Sequence, residues 1–176
     1  MYAGHVGFAL GASSLRRRVP LLLLLIAAEL PDWLDVGVCS LDMDRGPFGL
    51  YTHGLPVIGA LALTLAFVYV ATKRDYFGAF VVALTVASHY GLDFLTGIKP
   101  TWLGGPVVGL ELYNRPFVEV TLEVITIVVG WWLYRRTFPE ERRSTWPMYA
   151  ILISLLVLQA VGAAAFYLNV GGQMKC

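Results

Sequence analysis

A histidine and an aspartate lie four positions apart in the apolar stretch "ASHYGLDFLTG", residues 87–97. On a helix, positions i and i+4 share one face, so His89 and Asp93 can direct an imidazole and a carboxylate at one point. An ionisable side chain inside a bilayer costs about 2.5 to 3.5 kcal/mol and usually has a partner within the protein. The pair therefore predicts a functional site, and a hydrogen-bonded buried pair is the alternative.

Other ionisable side chains lie in similarly apolar surroundings. They are His5, Asp32 and Asp35 in "LPDWLDV", His53, and the pair Glu119 and Glu123. Two carboxylates at i,i+4 spacing repel each other unless a cation or a proton lies between them. A divalent metal ion would meet that need. Imidazole with carboxylate suits zinc, which we expect because three histidines are available, while manganese and magnesium stay open.

Each of these residues also has a purely structural interpretation. Carboxylates cap helices and favour their first turns, and basic side chains anchor helices at membrane interfaces. On this interpretation His5, Lys99 and Arg115 are interfacial, His53 starts a helix, Asp32 and Asp35 are caps, and Glu119 and Glu123 follow the helix start at Pro116.

The composition predicts an all-α integral membrane protein with a single membrane domain over residues 1–176. Hydrophobic residues make up 57% of the chain and charged residues 14%, and the mean hydropathy is +0.67. The net charge of +1 gives no support for nucleic-acid binding. Cys39 and Cys176 are too far apart in sequence for spacing to decide whether they pair.

Four segments are long enough to cross a bilayer as helices, which takes about 20 apolar residues. They are residues 53–72, 77–95, 116–135 and 148–170, the last of which is expected only to pack. Residues 2–15 and 19–30 form shorter apolar segments and predict a helical hairpin. The hairpin either crosses the membrane, which would give the protein six spans, or enters and leaves the membrane on the same side as a re-entrant pair. Residues 1–15 do not have the layout of a signal peptide. Small residues around Gly59, Gly130, Gly162 and 163–165 suit helix packing and homo-oligomers.

The distribution of basic residues predicts the orientation. If the hairpin and the helices alternate, nine of the 13 basic residues fall on one side, around residues 16–18, 73–74 and 135–143. The positive side faces the cytoplasm. Both termini and every candidate site residue then lie at the opposite, extracytoplasmic side of what we expect to be a prokaryotic inner membrane.

The order of His5, "PDWLD", "THG" and "HYGLDFLTG" resembles a family of bacterial and archaeal membrane-bound metal-dependent hydrolases. The resemblance covers about residues 1–106. The order is also similar to that of soluble zinc-dependent phospholipase C and P1 nuclease. That likeness implies one metal held by Asp32 or Asp35 with His53, His89 and Asp93, and a second ion bridged by Asp93 beside His5. The same likeness would place Glu119 and Glu123 at the positions of a His-x-x-x-Glu element that comes later in the sequences of those soluble enzymes.

The chain departs from these patterns at three points. Glu119 replaces the leading histidine of the His-x-x-x-Glu element, an intervening histidine is missing, and Asp44 stands where the membrane family often has a histidine before "THG". A third metal is therefore not expected.

The function expected from this resemblance is hydrolysis of a phosphoester, such as a lipid headgroup or a lipid-linked phosphate. Asp35, or whichever of Asp32 and Asp35 is not a ligand, would accept a proton. Arg115 and Lys99 would neutralise the phosphate. The alternatives are a metal or proton transporter, and a non-catalytic membrane protein with a structural metal site.

Overall fold

The computed structural model describes residues 2–41, 51–102 and 104–168. Over these residues the fold is all-α, as the sequence predicts. Asp44 and Cys176, which the sequence analysis singled out, lie outside the described residues. The helices are α1 (Tyr2–Ser13), α2 (Leu21–Ser40), α3 (Leu55–Lys73), α4 (Tyr76–Thr96), α5 (Pro116–Arg135), α6 (Glu140–Arg143) and α7 (Trp146–Leu168). Two short strands, β1 (Lys99–Pro100) and β2 (Val107–Val108), and the 3-10 helices Tyr51–His53 and Leu112–Asn114 connect them.

Among the described residues, four segments are long and apolar enough to cross a membrane, which confirms the membrane class. They are Leu55–Lys73, Tyr76–Thr96, Pro116–Arg135 and Glu140–Leu168. Large apolar side chains on their outer faces, such as Leu63 and Phe67, are each 73% exposed. A water-soluble protein would expose far fewer of them in one place, and a lipid environment covers them at no cost.

The second arm of the N-terminal hairpin is longer than the sequence predicts. The apolar run ends near residue 30, but α2 continues to Ser40 and reaches about 30 Å. Pro31 lies inside the helix and removes one helical N–H donor. Packing of α2 against α1 and α4 holds the helix together despite that loss. Asp32 and Asp35 therefore lie inside a helix, and their interpretation as helix caps is wrong.

The inner face of α4 is the centre of the bundle. Its buried residues recur at helical spacing and include Val82, Thr85, Val86, His89 and Asp93. Both α2 and α3 pack against α4, and α1 contacts α2, α4 and α5. The same periodicity that buries the apolar side chains thus carries His89 and Asp93 into the interior, towards α1 and α2.

Helices α1 and α5 approach each other closely through glycine. A Cβ atom added at Gly7 would lie 2.8 Å from Ile127 Cα, and one added at Gly130 would overlap the backbone of Gly7. The predicted packing role of Gly130 is therefore confirmed within the chain. At Gly59 and Gly162 an added Cβ would meet nothing within 4 Å.

A short β-hairpin follows α4 and lies beside the site. Strands β1 and β2 pair antiparallel, with Lys99 opposite Val108. The hairpin is tied to the helices by hydrogen bonds from Leu55 N to Thr101 O (3.0 Å) and from Leu110 N to Phe94 O (2.8 Å). Gly109, at φ 155°, passes so close to the Gly97 carbonyl that a side chain there would clash. These ties position Lys99 next to the end of α4.

Candidate metal centre

Five predicted ligands from four parts of the chain meet at one buried point. His5 comes from α1, Asp32 from α2, His53 from the 3-10 helix before α3, and His89 and Asp93 from α4. The ligand atoms form two groups within 4.8 Å of one another, His5 with His89 and Asp93, and Asp32 with His53 and His89. We call these five residues the His/Asp cluster. Residues far apart in the sequence thus converge as the motif order predicts.

Four atoms of the cluster form a closed ring of short separations. His53 Nε2 lies 2.9 Å from Asp32 Oδ1 and 3.6 Å from Asp93 Oδ2. His89 Nε2 lies 3.6 Å from Asp32 Oδ1 and 3.5 Å from Asp93 Oδ2. Tetrahedral zinc with ligands at about 2.0–2.2 Å places neighbouring ligand atoms about 3.4 Å apart. The ring therefore has the size of a first coordination shell.

The hydrogen bond that Nδ1 of His89 makes shows which ring nitrogen carries the proton of the neutral imidazole and which one presents its lone pair to the cluster. Nδ1 of His89 lies 2.7 Å from the carbonyl oxygen of Ala28, and a carbonyl can only accept. Nδ1 therefore carries a proton and donates it. Nε2 is buried and has no hydrogen-bond partner. A metal-bound histidine has this arrangement, with the second nitrogen donating to a carbonyl.

A hydroxyl group orients His53 in a similar way. Thr52 Oγ1 donates to Asp35 Oδ1 at 3.4 Å and lies 3.0 Å from His53 Nδ1. Nε2 of His53 lies 2.9 Å from Asp32 Oδ1. A carboxylate oxygen accepts hydrogen bonds and cannot donate them, so either a proton on Nε2 or a metal ion lies between these two atoms.

His5 completes the cluster on the α1 side. Its ring stacks on His89 with centroids 4.0 Å apart, and Nε2 lies 3.3 Å from Asp93 Oδ1. The His5 side chain is fully buried, and neither ring nitrogen has a hydrogen bond of acceptable geometry. An unbonded buried polar atom costs about 1–3 kcal/mol. A cation between His5 and Asp93 would remove that cost.

Lys99, which the sequence analysis predicts to neutralise a phosphate at the site, lies next to the cluster. Its Nζ lies 2.7 Å from Asp93 Oδ2, and its side chain is only 12% exposed. Its interpretation as an interfacial anchor is therefore wrong. The ammonium group neutralises part of the negative charge of the cluster at the oxygen that faces His53 and His89.

Glu119 and Glu123 form a separate buried pair on α5. They are 4% and 2% exposed, and neither belongs to the two groups of candidate ligands. Their carboxyl groups interact with each other, and Tyr167 of α7 donates to Glu119 Oε2 at 3.3 Å. Nearby, burial raises the pKa of Tyr113 to about 12, so its hydroxyl stays a neutral donor. Within the described residues, the structure does not bring this pair into the His/Asp cluster.

Sequence reasoning missed Glu29, one turn before Asp32 on α2. Glu29 is 7% exposed, and both of its carboxylate oxygens are buried without a hydrogen bond. Positions i and i+3 share a helix face, so Glu29 lies on the side of α2 that carries Asp32. An acidic residue within an apolar run was a usable signal, because burial of an unpaired carboxylate is costly.

The cluster is most accessible at Asp32. The Asp32 side chain is 24% exposed, whereas the side chains of the other four cluster residues are 0–5% exposed. Arg115, predicted to contact a substrate, is exposed on the loop before α5. In the opposite direction the interior is filled by apolar side chains such as Leu24, Val82 and Ala9. Access is therefore from one end of the bundle.

Comparison of the chain with protein-family models, with curated proteins and with solved structures gave no significant match. The family resemblance of the motif order thus stays a prediction, and the site must be interpreted from its own geometry.

Proposed function

We propose that the protein is a metal-dependent hydrolase with its active site at the membrane surface, acting on a phosphoester such as a lipid headgroup or a lipid-linked phosphate. One observation carries the proposal. The Nε2 atoms of His53 and His89 and one oxygen each of Asp32 and Asp93 form a closed ring with separations of 2.9–3.6 Å, and Nδ1 of His89 donates to the Ala28 carbonyl. A divalent cation would satisfy these four groups together, and their number and type suit zinc.

The metal would supply a water molecule that ionises near neutral pH. Asp32, His53, His89 and Asp93 would hold the ion, with the water as a fifth ligand, and His5 and Asp93 would hold a second ion. Thr52 contacts both the His53 ring and Asp35. Asp35 would in this arrangement stay outside the set of metal ligands. Glu29 is the buried carboxylate left to take up a proton.

The charge balance favours an anionic substrate. Three carboxylates, those of Asp32, Asp93 and Glu29, with one ammonium group and two divalent ions sum to two positive charges, with the histidines neutral. Lys99 lies within the cluster and can contact a metal-bound phosphate, as can Arg115 on the nearby loop. A site at the end of membrane-spanning helices meets lipid phosphates at the headgroup level.

A transporter is the weaker candidate because the described interior beyond the cluster is mainly apolar. The core between the cluster and the basic end of the bundle includes the apolar residues Ala27, Leu24 and Val81. In the described part of the chain, the buried polar residues on that side are Glu29, one turn from Asp32, and Ser13 and Thr85, whose hydroxyls bond to backbone carbonyls of their own helices.

The first test is the metal content of the purified protein. We expect one or two equivalents of a transition metal in the wild type, measured by inductively coupled plasma mass spectrometry. His89→Ala and Asp93→Asn should lose at least one equivalent, because each removes a ligand from the ring.

The matched control is Asp35→Asn, set beside Asp32→Asn. The two aspartates lie three residues apart on α2, but among the described residues Asp32 belongs to a group of candidate ligand atoms and Asp35 does not. We expect Asp32→Asn to reduce the metal content and Asp35→Asn to keep it. A folded wild type that takes up no zinc or manganese would exclude the proposal and leave protonated His–Asp pairs.

A second measurement separates an enzyme from a structural metal site. Hydrolysis of a chromogenic phosphodiester and of phospholipid in mixed micelles should require the metal and stop with a chelator. A metal-loaded protein without hydrolysis of either phosphoester would point to the structural role.

A further inference from the structure

A groove lies at the opposite end of the bundle from the His/Asp cluster. It encloses about 310 Å³ between the α1–α2 turn and the end of α5, and its walls include Arg17, Val19, Leu21, Tyr134, Thr137 and Phe138. We call it the basic groove. Nothing in the proposed hydrolytic function involves it, so any ligand it binds would be independent of the metal centre.

The walls of the groove are mostly apolar, with one cation at the edge. Val19 is 2% exposed and forms part of the core, and Leu21 and Phe138 add further apolar surface. The Thr137 hydroxyl donates to the carbonyl of Tyr134 in the last turn of α5 (2.7 Å). Arg17, which is exposed, is therefore the charged donor available to a ligand.

Three of the neighbouring arginines are engaged elsewhere. Arg16 Nε donates to Asp75 Oδ2 at 2.9 Å, and this guanidinium holds the pKa of the Asp75 carboxyl below its usual range. Arg136 stacks on Trp132 at 3.7 Å, and Arg143 Nε donates to the Phe138 carbonyl at 2.9 Å. Among the described residues, the structure gives the Arg17 side chain no hydrogen bond or ion pair.

The position and charge of the groove indicate its ligand. It begins where the membrane-spanning helix Pro116–Arg135 ends, which is the level of lipid headgroups. Nine basic residues and only three acidic ones, Asp75, Glu140 and Glu141, lie at this end of the bundle. Basic pockets between membrane helices attract anionic lipid headgroups.

We propose that the basic groove binds one anionic glycerophospholipid. Its phosphate would contact the Arg17 guanidinium, and its glycerol and first acyl carbons would lie against Leu21 and Phe138. The groove volume is at the lower end of the roughly 300–1,000 Å³ of ligand pockets. It therefore holds the headgroup, while the acyl chains continue along the apolar outer surface of the helices.

The test is the effect of lipid on thermal unfolding of the full chain in a nonionic detergent. Dioleoyl phosphatidylglycerol should raise the unfolding midpoint in a saturable manner. Dioleoyl phosphatidylcholine, with the same chains, should raise it far less. Arg17→Gln should need about tenfold more phosphatidylglycerol, the size expected for the loss of one charge-assisted contact. Metal content, measured in parallel, should not change in this variant.

The matched control is Arg18→Gln, which makes the same charge change one residue away but outside the groove. It should keep the response of the wild type. Equal responses to the two lipids, or equal losses in Arg17→Gln and Arg18→Gln, would overturn the proposal. A response to soluble glycerol phosphate as large as that to the lipid would also overturn it, since the groove would then bind a free anion.

Discussion

At the scale of single residues, the structure separates the ionisable side chains into groups with different roles. Nδ1 of His89 and of His53 is fixed by Ala28 and Thr52, which leaves each Nε2 as a potential ligand atom. His5 has no such second contact, and both of its ring nitrogens are buried without a hydrogen bond. Among the cluster residues, His5 is therefore the one whose contribution to the free energy of unfolding depends most strongly on a bound cation.

We expect His5→Leu to change stability in opposite directions with and without metal. In the presence of a chelator, the variant should match or exceed the wild type by about 1–3 kcal/mol in unfolding free energy, because an unbonded buried polar group is removed. With zinc added, the wild type should gain more than the variant. Both effects can be measured from thermal unfolding in detergent.

The alternative is a protonated His5 paired with Asp93 at 3.3 Å. In that case His5→Leu would destabilise the chelated protein, since Asp93 would lose a charged partner. A drop in stability under chelator would therefore contradict the metal interpretation of His5.

At the scale of elements, the site depends on how closely α1 packs against its neighbours. His5 reaches the cluster because Gly7 lets α1 approach α5, and buried alanines such as Ala9 and Ala28 fill little space between α1, α2 and α4. In a membrane, close packing of small residues replaces the hydrophobic effect as the force between helices. The position of a ligand thus depends on a glycine one half-turn away.

Gly7→Ala should destabilise the protein by about 1–3 kcal/mol, because the added methyl group would lie 2.8 Å from the Ile127 backbone. It should also lower the metal content by displacing His5. Gly162→Ala is the control, because nothing lies within 4 Å of its added Cβ. It should be neutral or stabilise by up to about 1 kcal/mol. Equal unfolding midpoints for the two variants would contradict the close approach of α1 and α5.

At the scale of the whole molecule, the two ends of the bundle differ in chemistry. The His/Asp cluster lies at one end and the basic turns lie at the other, separated by an apolar core. Among the described residues, four candidate spans and the α1–α2 hairpin give an even number of crossings, whether the hairpin spans or re-enters. We therefore expect Tyr2 and Leu168 to lie on the side of the cluster, which the basic residues predict to be extracytoplasmic.

Reporter fusions test this orientation. Alkaline phosphatase, which is active only outside the cytoplasm, should be active when fused after Cys176 and inactive when fused after Arg74, in the α3–α4 turn. A green fluorescent protein at the same two positions should show the reverse pattern. Activity of the phosphatase at Arg74 would place the cluster on the cytoplasmic side and exclude an extracytoplasmic substrate.

The sequence alone determined the class of the protein, because composition and helical periodicity are local properties. Apolar runs of about 20 residues predicted the four long helices to within a few positions, and i,i+4 spacing placed His89 and Asp93 on one face. It missed the continuation of α2 through Pro31, since a proline favours a helix end unless tertiary packing holds both sides.

Only the tertiary structure decided the make-up of the site. Contacts such as His89 to Ala28, 61 positions apart, and His53 to Asp32, 21 positions apart, depend on how helices pack. The structure places Asp32 rather than Asp35 in the cluster, brings Lys99 within 2.7 Å of Asp93, adds Glu29, and sets Glu119 and Glu123 apart. Residue types and spacing define what each side chain can do chemically, but the directions in which side chains meet are set by packing between distant elements.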